Sequence, residues 1–320
     1  GLGIPAEPLF RSLVTGGCGF IGSNLSLALE KEGYKVVIVD DLSSARKDWK
    51  EVFDKSEIEI ISNCFASDEV VHRIEAKEFD IIFHNAAVPR VSYSVENPFE
   101  TTDININRTV KLLESSVGNV NRFIFASSSS VYGGADILPT SVLHPKDPKS
   151  PYAWQKSSIE DLIKIFVTLY DFDAVCLRYF NVFGPGQFGG SAYSTAVSAW
   201  CHAIKHGNKL RSDGTGEQTR DMCYVDNIVL ANILAAKCTK KFLGNCYNVA
   251  CGDRVSNNQI LEFLKNKHSD IEIENAPSRA GDVMHTLADI TQTTYDLEYE
   301  PAVHFWDGLQ RTLSWWNLND

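Results

Sequence analysis

The sequence predicts an α/β protein with a doubly wound parallel sheet and a smaller C-terminal lobe. Three observations favour this architecture. Short β runs alternate with amphipathic helical segments through the first half, which is typical of βαβ units. A glycine cluster stands between the first strand and the first helix. After residues 184–186 (Gly-Pro-Gly) the alternation gives way to loops, glycines and shorter elements.

The elements follow from this alternation in chain order. The predicted strands cover residues 12–15, 35–39, 58–61, 81–84, 123–126 and 174–177. Between them, the main helices are predicted at 20–32, 100–116 and 152–170. The second half is predicted to hold helices at 192–206, 226–236, 256–267 and 305–316. With 320 residues the chain has room for about two domains, and we place their boundary between residues 180 and 181, with the second unit interleaved with the first.

Composition excludes several classes of protein. The net charge is −11, and 44% of the residues are hydrophobic, which is ordinary for a globular chain. No apolar run approaches the ~20 residues of a membrane span, and an acidic chain without a Lys/Arg block is not typical of a nucleic-acid binder. The eight cysteines form no C-x-x-C pair, and residues 1–8 lack the pattern of a signal peptide. We therefore expect free thiols and a cytoplasmic location.

The glycine cluster predicts a dinucleotide site. Gly16, Gly19 and Gly22 follow a predicted strand and open a helix, and Gly17 with the last two also fits G-x-G-x-x-G. Glycines there permit a tight turn and let backbone N–H groups approach a pyrophosphate. Asp40 ends the second strand, where a carboxylate binds the ribose hydroxyls of NAD and repels the phosphate of NADP. A Rossmann-type NAD site is thus predicted, with contacts from Gly16, Gly19, Phe20, Ile21, Gly22 and Asp40.

A serine-rich strand end and a Tyr/Lys pair predict the catalytic chemistry. Residues 127–130 are four serines at the carboxyl end of a strand, where open α/β sheets place their sites. Tyr152 and Lys156 are four residues apart and share one face of a helix. A lysine ammonium beside the phenol is expected to lower the pKa of Tyr152, which makes it a base near neutral pH. The alternative is an exposed helix face without a function.

These motifs resemble the extended short-chain dehydrogenases/reductases of the nucleotide-sugar epimerase/dehydratase family, from Thr15 to the C-terminal helix. The chain is most similar to the UDP-N-acetylglucosamine 4-epimerase branch of the UDP-galactose 4-epimerases. The resemblance implies that Ser128, Tyr152 and Lys156 are catalytic. The 4,6-dehydratases carry Asp-Glu where this chain has Ser129 and Ser130, and serines cannot do carboxylate acid/base work. This departure favours simple epimerisation.

The resemblance also implies the remaining binding residues. Residues 9–180 would form the NAD-binding domain and 181–320 mainly a substrate-binding lobe. Asn63 stands where many relatives have an Asp that contacts adenine, and its amide can still accept a hydrogen bond. The other implied NAD contacts are Cys64, Ala86, Ala87, Asn105, Tyr152, Lys156 and Phe180. The implied contacts to a UDP-sugar are Ser128, Ser129, Tyr152, Asn181, Arg220, Arg279, Asp282 and Thr286.

Assembly follows from the same resemblance. The family dimerises through its two long helices, here 100–116 and 152–170, so a homodimer is expected. Apolar residues on these helices could form that surface, although some must face the protomer's own sheet: Ile104, Leu112, Leu162, Ile163 and Phe166.

The leading hypothesis is NAD-dependent C4 epimerisation of a UDP-sugar through a 4-keto intermediate. Thr286 stands at a position that helps to set the width of the sugar pocket in these epimerases, and its small size predicts room for an N-acetyl group. The closest enzymatic alternative is a UDP-glucuronate 4-epimerase, against which Asn181 argues because that branch usually has Thr there. The alternative from another class is a noncatalytic dinucleotide-sensing regulator.

A metal enzyme is a further alternative. Cys201, His202 and His206 could ligate zinc from one helix, but no fourth ligand accompanies them, so no metal is expected.

Overall fold

The computed structural model describes residues 10–190, 194–278 and 283–319. Its strands are β1 Arg11–Thr15, β2 Lys35–Asp40, β3 Glu59–Ser62, β4 Ile81–His84, β5 Arg122–Ser128, β6 Ala174–Tyr179, β7 Val182–Phe183, β8 Leu210–Asp213, β9 Thr219–Arg220, β10 Cys223–Tyr224, β11 Leu243–Val249, β12 Val255–Ser256 and β13 Ile273–Ala276. Its helices are α1 Phe20–Lys31, α2 Trp49–Phe53, α3 Asp68–Glu75, α4 Val91–Glu96, α5 Pro98–Thr102, α6 Arg108–Ser116, α7 Pro151–Tyr170, α8 Ala196–Lys205, α9 Val225–Lys237, α10 Asn257–Lys267, α11 Thr291–Leu297 and α12 Phe305–Trp315.

A parallel sheet of seven strands forms the centre of the molecule, in the order β11-β6-β5-β4-β1-β2-β3. The predicted doubly wound α/β fold is confirmed. The strand order reverses between β1 and β4, and ligands of such sheets bind at the carboxyl ends of the strands beside that reversal. Each predicted site at a strand end in the first half therefore belongs to one edge of the sheet.

Strand β11 is absent from the sequence prediction. Its first half is largely exposed, and Gly244 stands in a register irregularity against β6, so the strand pattern is hidden until the partner strand is known. Through β11 a segment from the second half of the chain completes the sheet. The division at residues 180/181 stays a prediction.

Helices cover both faces of the sheet. On one face α1 and α9 pack together, with Leu25, Leu29 and Ile228 in the core. On the other face lie α3, α6 and α7, whose Leu112 and Ile163 are fully buried. These two residues therefore face the protomer's own sheet and not a dimer surface, which corrects their predicted role.

The first long helix is less regular than predicted. Instead of one helix over 100–116, the chain forms α5, a π-helical turn at Asp103–Asn107, and α6. The predicted helix over 152–170 is α7, which begins with Pro151 after the N-cap Ser150. The hydroxyl of Ser150 accepts a hydrogen bond from the backbone N–H of Ala153. Proline suits the first helical position because a backbone N–H at that position has no partner within the helix, so its absence costs no hydrogen bond.

The smaller lobe has a core of its own. Short strands pair as β7 with β10, β9 with β12 and β8 with β13, and α8, α10 and α12 pack around them. Phe183, Trp200 and Leu309 are among its buried side chains. Within the residues that the structure describes, no helix is long and apolar enough to cross a membrane.

Candidate active site

The glycine loop joins β1 to α1 and is packed too tightly for side chains. Gly16 has φ +68°, and a Cβ there would lie 2.9 Å from the Cα of Ala86. A Cβ on Gly22 would overlap the carbonyl oxygen of Gly16. Gly19 is the N-cap of α1 and supplies no side-chain cap. Because the first N–H groups of a helix have no intrahelical partner, this cradle fits a dinucleotide pyrophosphate.

Asp40 lies at the carboxyl end of β2, beside that loop. Its carboxylate accepts hydrogen bonds from the backbone N–H of Cys18 at 2.9 Å and of Leu42 at 2.8 Å. Burial raises the pKa of Asp40, and the two N–H bonds oppose that shift. An acceptor fixed in this way suits ribose hydroxyl groups, so the residues present fit NAD.

Asn63 and Cys64 follow β3 and are partly buried. The side-chain oxygen of Asn63 accepts the N–H of Cys64 at 2.8 Å, while its amide nitrogen donates to Glu69 at 3.2 Å. One acceptor of Asn63 is therefore already used within the loop. Contacts of Asn63 and Cys64 to adenine stay a prediction.

His84 ends β4 immediately before the turn that carries Ala86 and Ala87. Its ring is fully buried between the hydroxyl groups of Thr15, at 2.7 Å, and Thr109, at 2.9 Å. The Thr15 hydroxyl also accepts the N–H of Ala86 at 3.1 Å. His84 therefore fixes the turn at the strand reversal, and burial holds its pKa well below the usual value.

Ser128, Tyr152 and Lys156 come together at the ends of β5 and α7. Ser128 lies close enough to the Tyr152 phenol to lower its pKa. Lys156 donates to the carbonyl of Ala126 at 2.7 Å, and its Nζ lies 5.9 Å from the centre of the Tyr152 ring. Tyr152 and Lys156 are 8% and 5% exposed, so the alternative of a solvated helix face is wrong.

The predicted pKa shift of Tyr152 has the opposite direction in the structure. Burial raises the pKa of Tyr152 to about 12, and the neighbouring Ser128 opposes the rise only in part. Burial also lowers the pKa of Lys156 to about 7. Removing charged groups from water disfavours a phenolate and an ammonium alike. Tyr152 can therefore act as a base at neutral pH only if its phenolate is stabilised by more than Lys156 alone.

A pair of amides braces this centre. Asn105 lies in the π-helical turn, and its amide accepts the N–H of Val88 at 2.8 Å and donates to the carbonyl of Val88 at 3.2 Å. The same Nδ2 donates to the side chain of Gln155 at 2.7 Å. Gln155 is fully buried and donates in turn to the hydroxyl groups of Thr101 and Thr102. Through the bond to Gln155, Asn105 orients α7. Both amide hydrogens of Asn105 have protein partners, so neither is left to donate to NAD as predicted.

Sequence reasoning missed Gln155. A glutamine between Tyr152 and Lys156 carries no motif of its own, and only the packing of α7 against the π-helical turn reveals its role.

The predicted sugar side forms a second cluster. Asn181 donates through its side-chain nitrogen to the hydroxyl of Thr286 at 3.2 Å and to the carbonyl of Asp221 at 3.3 Å. The Thr286 hydroxyl also accepts the N–H of Asp221 at 3.1 Å. Arg220, which is half-buried on β9, donates to the carbonyls of Thr219 and Met284. The structure therefore brings Asn181, Arg220 and Thr286 to one place.

Asp221 holds the segments around this cluster. Its carboxylate accepts N–H groups from Cys251 at 3.0 Å, Gly252 at 3.1 Å and Ala288 at 3.0 Å. The side chain is fully buried, and this burial raises the pKa of Asp221 to about 7. No sequence pattern indicates this role, since the three donors come from two distant segments.

The remaining predicted residues have simpler surroundings. Phe180 is 2% exposed and packs in a small core with Tyr132, Val131 and Ala288. Ser129 opens a short 3₁₀ turn after Ser128. Two predicted substrate residues, Arg279 and Asp282, lie outside the described residues.

The possible zinc ligands on α8 do not converge in the structure. Cys201 is fully buried, whereas the rings of His202 and His206 stack on each other at 4.1 Å. Among residues 10–190, 194–278 and 283–319, no three His, Cys, Asp or Glu side chains are grouped so that they could hold a metal ion.

Known proteins match this chain over nearly its full length. A solved structure of UDP-N-acetylglucosamine 4-epimerase from Methanobrevibacter ruminantium M1, in complex with UDP-N-acetylmuramic acid, is 34% identical with a TM-score of 0.89 and covers 97% of this chain and 98% of its own. UDP-glucose 4-epimerase of Mycolicibacterium smegmatis is 31% identical over 95% of this chain and 97% of its own length. The dTDP-D-glucose 4,6-dehydratase of Homo sapiens is 27% identical over 99% and 93%.

A family model supports the same assignment. The model of the NAD dependent epimerase/dehydratase family matches residues 12–250, which include the glycine loop, the Tyr/Lys pair and the loop after β6. The resemblance seen in the motifs is confirmed. The chain belongs to the NAD dependent epimerase/dehydratase family, with NAD as its cofactor.

Proposed function

We propose that the protein is a UDP-sugar 4-epimerase that interconverts UDP-N-acetylglucosamine and UDP-N-acetylgalactosamine and also accepts UDP-glucose and UDP-galactose. The observation that carries the proposal is the group of Ser128, Tyr152 and Lys156, of which Tyr152 and Lys156 are buried and Ser128 is partly buried. Ser129 and Ser130 follow Ser128, where a carboxylic acid would be needed to eliminate water. In addition, the two epimerases described above are 34% and 31% identical to the chain, and the dehydratase is 27% identical.

The proposed reaction moves a hydride, to NAD and back, and a proton, which residues of this chain take and return. NAD, when bound, supplies the acceptor that takes hydride from C4 of the sugar and returns it. Tyr152 takes the proton of the C4 hydroxyl, and the neighbouring Ser128 lowers the pKa of the phenol. The protonated Lys156 favours the phenolate. The 4-keto sugar then turns over, and Tyr152 returns the proton when hydride reaches the opposite face.

The surroundings of Asn181 indicate which part of the substrate it meets. Its side-chain nitrogen donates to the carbonyl of Asp221 and to the hydroxyl of Thr286. The side-chain oxygen Oδ1 of Asn181 is therefore the atom that can accept a hydrogen bond from the substrate. A diphosphate offers only acceptors at neutral pH, whereas sugar hydroxyls and an acetamide N–H are donors. We therefore assign Asn181 to the sugar, and Arg220, with Arg279 and Asp282, to the nucleotide end.

Substrate width is proposed to depend on Thr286. A tyrosine at this position would fill the pocket and exclude the N-acetyl group. Thr286→Tyr, however, also removes the hydroxyl that accepts N–H groups from Asn181 and Asp221. Thr286→Val is the matched control, because it keeps the size and removes only the hydroxyl.

The test is a comparison of five substrates with purified protein: UDP-N-acetylglucosamine, UDP-N-acetylgalactosamine, UDP-glucose, UDP-galactose and UDP-glucuronate. We expect the first four to be interconverted in pairs. Thr286→Tyr should abolish turnover of the N-acetylated pair and largely spare the hexoses, while Thr286→Val should affect both pairs alike. Conversion of UDP-glucuronate alone, or of the plain hexoses alone by the parent, would contradict the assigned substrate. Equal loss of both reactions in Thr286→Tyr would exclude Thr286 as the determinant of width.

The protein is also proposed to be a homodimer through α5–α6 and α7. Large apolar side chains remain exposed on α7 and the neighbouring α5, namely Phe99 at 88%, Trp154 at 50%, Ile165 at 51% and Leu169 at 66%. Contiguous exposed apolar residues are typical of interfaces. Trp154→Glu should convert the dimer to a monomer in light scattering at micromolar concentration, whereas a monomeric parent would refute the assembly.

The cytoplasmic location is likewise a proposal, which the free thiols of all eight cysteines support.

A further inference from the structure

Glu160 lies one helical turn beyond Lys156 on the inner face of α7. Residues four apart on a helix share a face, and the Glu160 side chain is only 2% exposed. A buried carboxylate is costly unless charged partners and hydrogen bonds satisfy it. Neither the Tyr/Lys motif nor the proton and hydride steps above use this group.

Three hydrogen-bond donors and the ammonium of Lys146, whose Nζ lies 3.6 Å from Oε2, satisfy the Glu160 carboxylate. Its Oε1 accepts the hydroxyl of Ser127 at 2.6 Å and Nε of Arg178 at 2.8 Å. Its Oε2 accepts Nη2 of Arg178, also at 2.8 Å. Ser127 directly precedes Ser128 on β5, and Arg178 lies on β6. Glu160 therefore ties the helix of Tyr152 and Lys156 to the strand end that carries Ser128.

The guanidinium of Arg178 is held from its other side. It donates to the Tyr132 hydroxyl at 2.7 Å and to the carbonyl of Val142 at 3.0 Å. The Tyr132 hydroxyl donates onward to the side chain of Asn248 at 2.6 Å. Bidentate pairing with anchored partners keeps the carboxylate of Glu160 in one position.

Four titratable groups on three elements surround Lys156. They are Tyr152 and Glu160 on α7, His84 on β4 and Cys176 on β6, while β5 contributes the ring of Phe125 and the carbonyl of Ala126. Burial holds the pKa of His84 well below its usual value and that of Tyr152 above it. The neighbouring Cys246, and then burial, raise the pKa of Cys176, so these three groups are neutral near pH 7. Of the two groups that oppose the loss of the Lys156 proton, the carboxylate of Glu160 has the larger effect and Cys176 the smaller one.

We propose that Glu160 is a positioning residue that keeps Lys156 protonated and holds the β5 end that carries Ser128 against it. The inference rests on the proposed function, because a protonated Lys156 matters through its effect on the Tyr152 phenolate. A neutral Lys156 would leave that phenolate without a neighbouring cation. Glu160 itself touches neither the substrate nor the cofactor in this assignment.

Glu160→Gln tests the charge at nearly constant shape. Activity that needs protonated Lys156 falls as pH rises through the pKa of that lysine. Loss of the carboxylate lowers this pKa, so the alkaline limb of the kcat/KM profile should move to lower pH by at least ~1 unit, which is about tenfold in the ratio of protonated to neutral lysine at a fixed pH.

A direct titration separates this proposal from the proposed function. NMR of protein labelled with ¹³C at the lysine side chains, with the Lys156 signal assigned from Lys156→Met, reports the protonation of Lys156 without any substrate. We expect the Lys156 signal in Glu160→Gln to titrate at least ~1 pH unit lower than in the parent. If this shift appears but no UDP-sugar is epimerised, only the proposed function fails. If the signal stays within ~0.3 unit of the parent, the inference about Glu160 is overturned.

Control variants distinguish the charge from a merely structural role. Glu160→Asp keeps the carboxylate and should restore most of the parent titration. Tyr132→Phe breaks the far side of the same network without changing a charge, so it should lower stability and leave the Lys156 titration in place. A shift in Tyr132→Phe as large as that in Glu160→Gln would show that packing, and not charge, is responsible.

Two further measurements test the proposal if Glu160→Gln fails to fold. Glu160→Gln leaves Arg178 with a buried unpaired charge, whereas Glu160→Gln/Arg178→Gln removes both charges. The double variant should still lower the pKa of Lys156, but by less than Glu160→Gln, because loss of the Arg178 cation favours the ammonium. In the parent, the carboxyl carbon of Glu160 should show a ¹³C inflection at the pH where Lys156 titrates. Absence of that inflection in the parent overturns the proposal without any variant.

Discussion

Replacement of Asp221 by asparagine should make the stability of the protein less dependent on pH. Asp221 is a fully buried carboxyl group whose oxygens accept three backbone N–H groups, from Cys251, Gly252 and Ala288. Burial raises its pKa from 3.8 to about 7, which means that the cost of burying the charge exceeds the gain from the three hydrogen bonds. Between these two pKa values the folded state retains a proton that the unfolded state has lost.

The magnitude follows from linkage. Because the folded state binds more protons in this window, the parent loses stability as pH rises from about 4 to about 7, by about 1.4 kcal/mol for each pH unit and about 4 kcal/mol in total. The amide of the Asp221→Asn variant would not titrate. In the variant, the NH₂ of the asparagine would point at one of the backbone N–H groups that Asp221 accepts. Two facing donors lower the free energy of unfolding by about 1–3 kcal/mol at every pH.

The assay is urea unfolding of the parent and of Asp221→Asn, followed by tryptophan fluorescence. Taking the difference between the two proteins at each pH cancels the other titrating groups. The free energy of unfolding of the variant relative to the parent should rise by about 4 kcal/mol between about pH 4 and about pH 8. A difference that stays constant within about 1 kcal/mol over this range would refute the argument that the buried carboxyl is protonated near pH 6.

Two further predictions concern the active site. Tyr152→Phe keeps the ring and removes the proton acceptor, so kcat should fall by roughly 10²–10⁴-fold while NAD binding, measured by calorimetry, survives; activity within a factor of about two of the parent would exclude Tyr152 as the base. The parent should bind NAD more tightly than NADP, and Asp40→Ala should reduce this preference because the carboxylate that repels the 2′-phosphate is gone. Asp40→Asn is its control, since an amide oxygen can still accept the N–H of Cys18 or Leu42; equal affinity of the parent for both dinucleotides would contradict the role of Asp40.

Local sequence patterns predicted the candidate NAD end of the site and the proposed catalytic group. Gly16, Gly19 and Gly22 can be read from the chain because their spacing between a strand and a helix is a local pattern, although only the fold shows that Ala86 approaches Gly16. Tyr152 and Lys156 are similarly readable, since a spacing of four residues places them on one helix face whatever the rest of the fold does. The alternation of strands and helices was enough to predict the parallel sheet.

Only the tertiary structure decided which groups are buried together and what burial does to their charges. Strand β11 pairs with β6, and Asn105 donates a hydrogen bond to Gln155, although these partners are far apart in the chain. The burial of Leu112 and Ile163 likewise depends on distant elements that pack against them. The pKa of Tyr152 shows the reason most clearly. The Tyr/Lys spacing predicted a lowered value from a nearby charge, but the cost of removing the phenol from water dominates and raises it. Desolvation depends on every element packed around a side chain, and no local spacing carries that information.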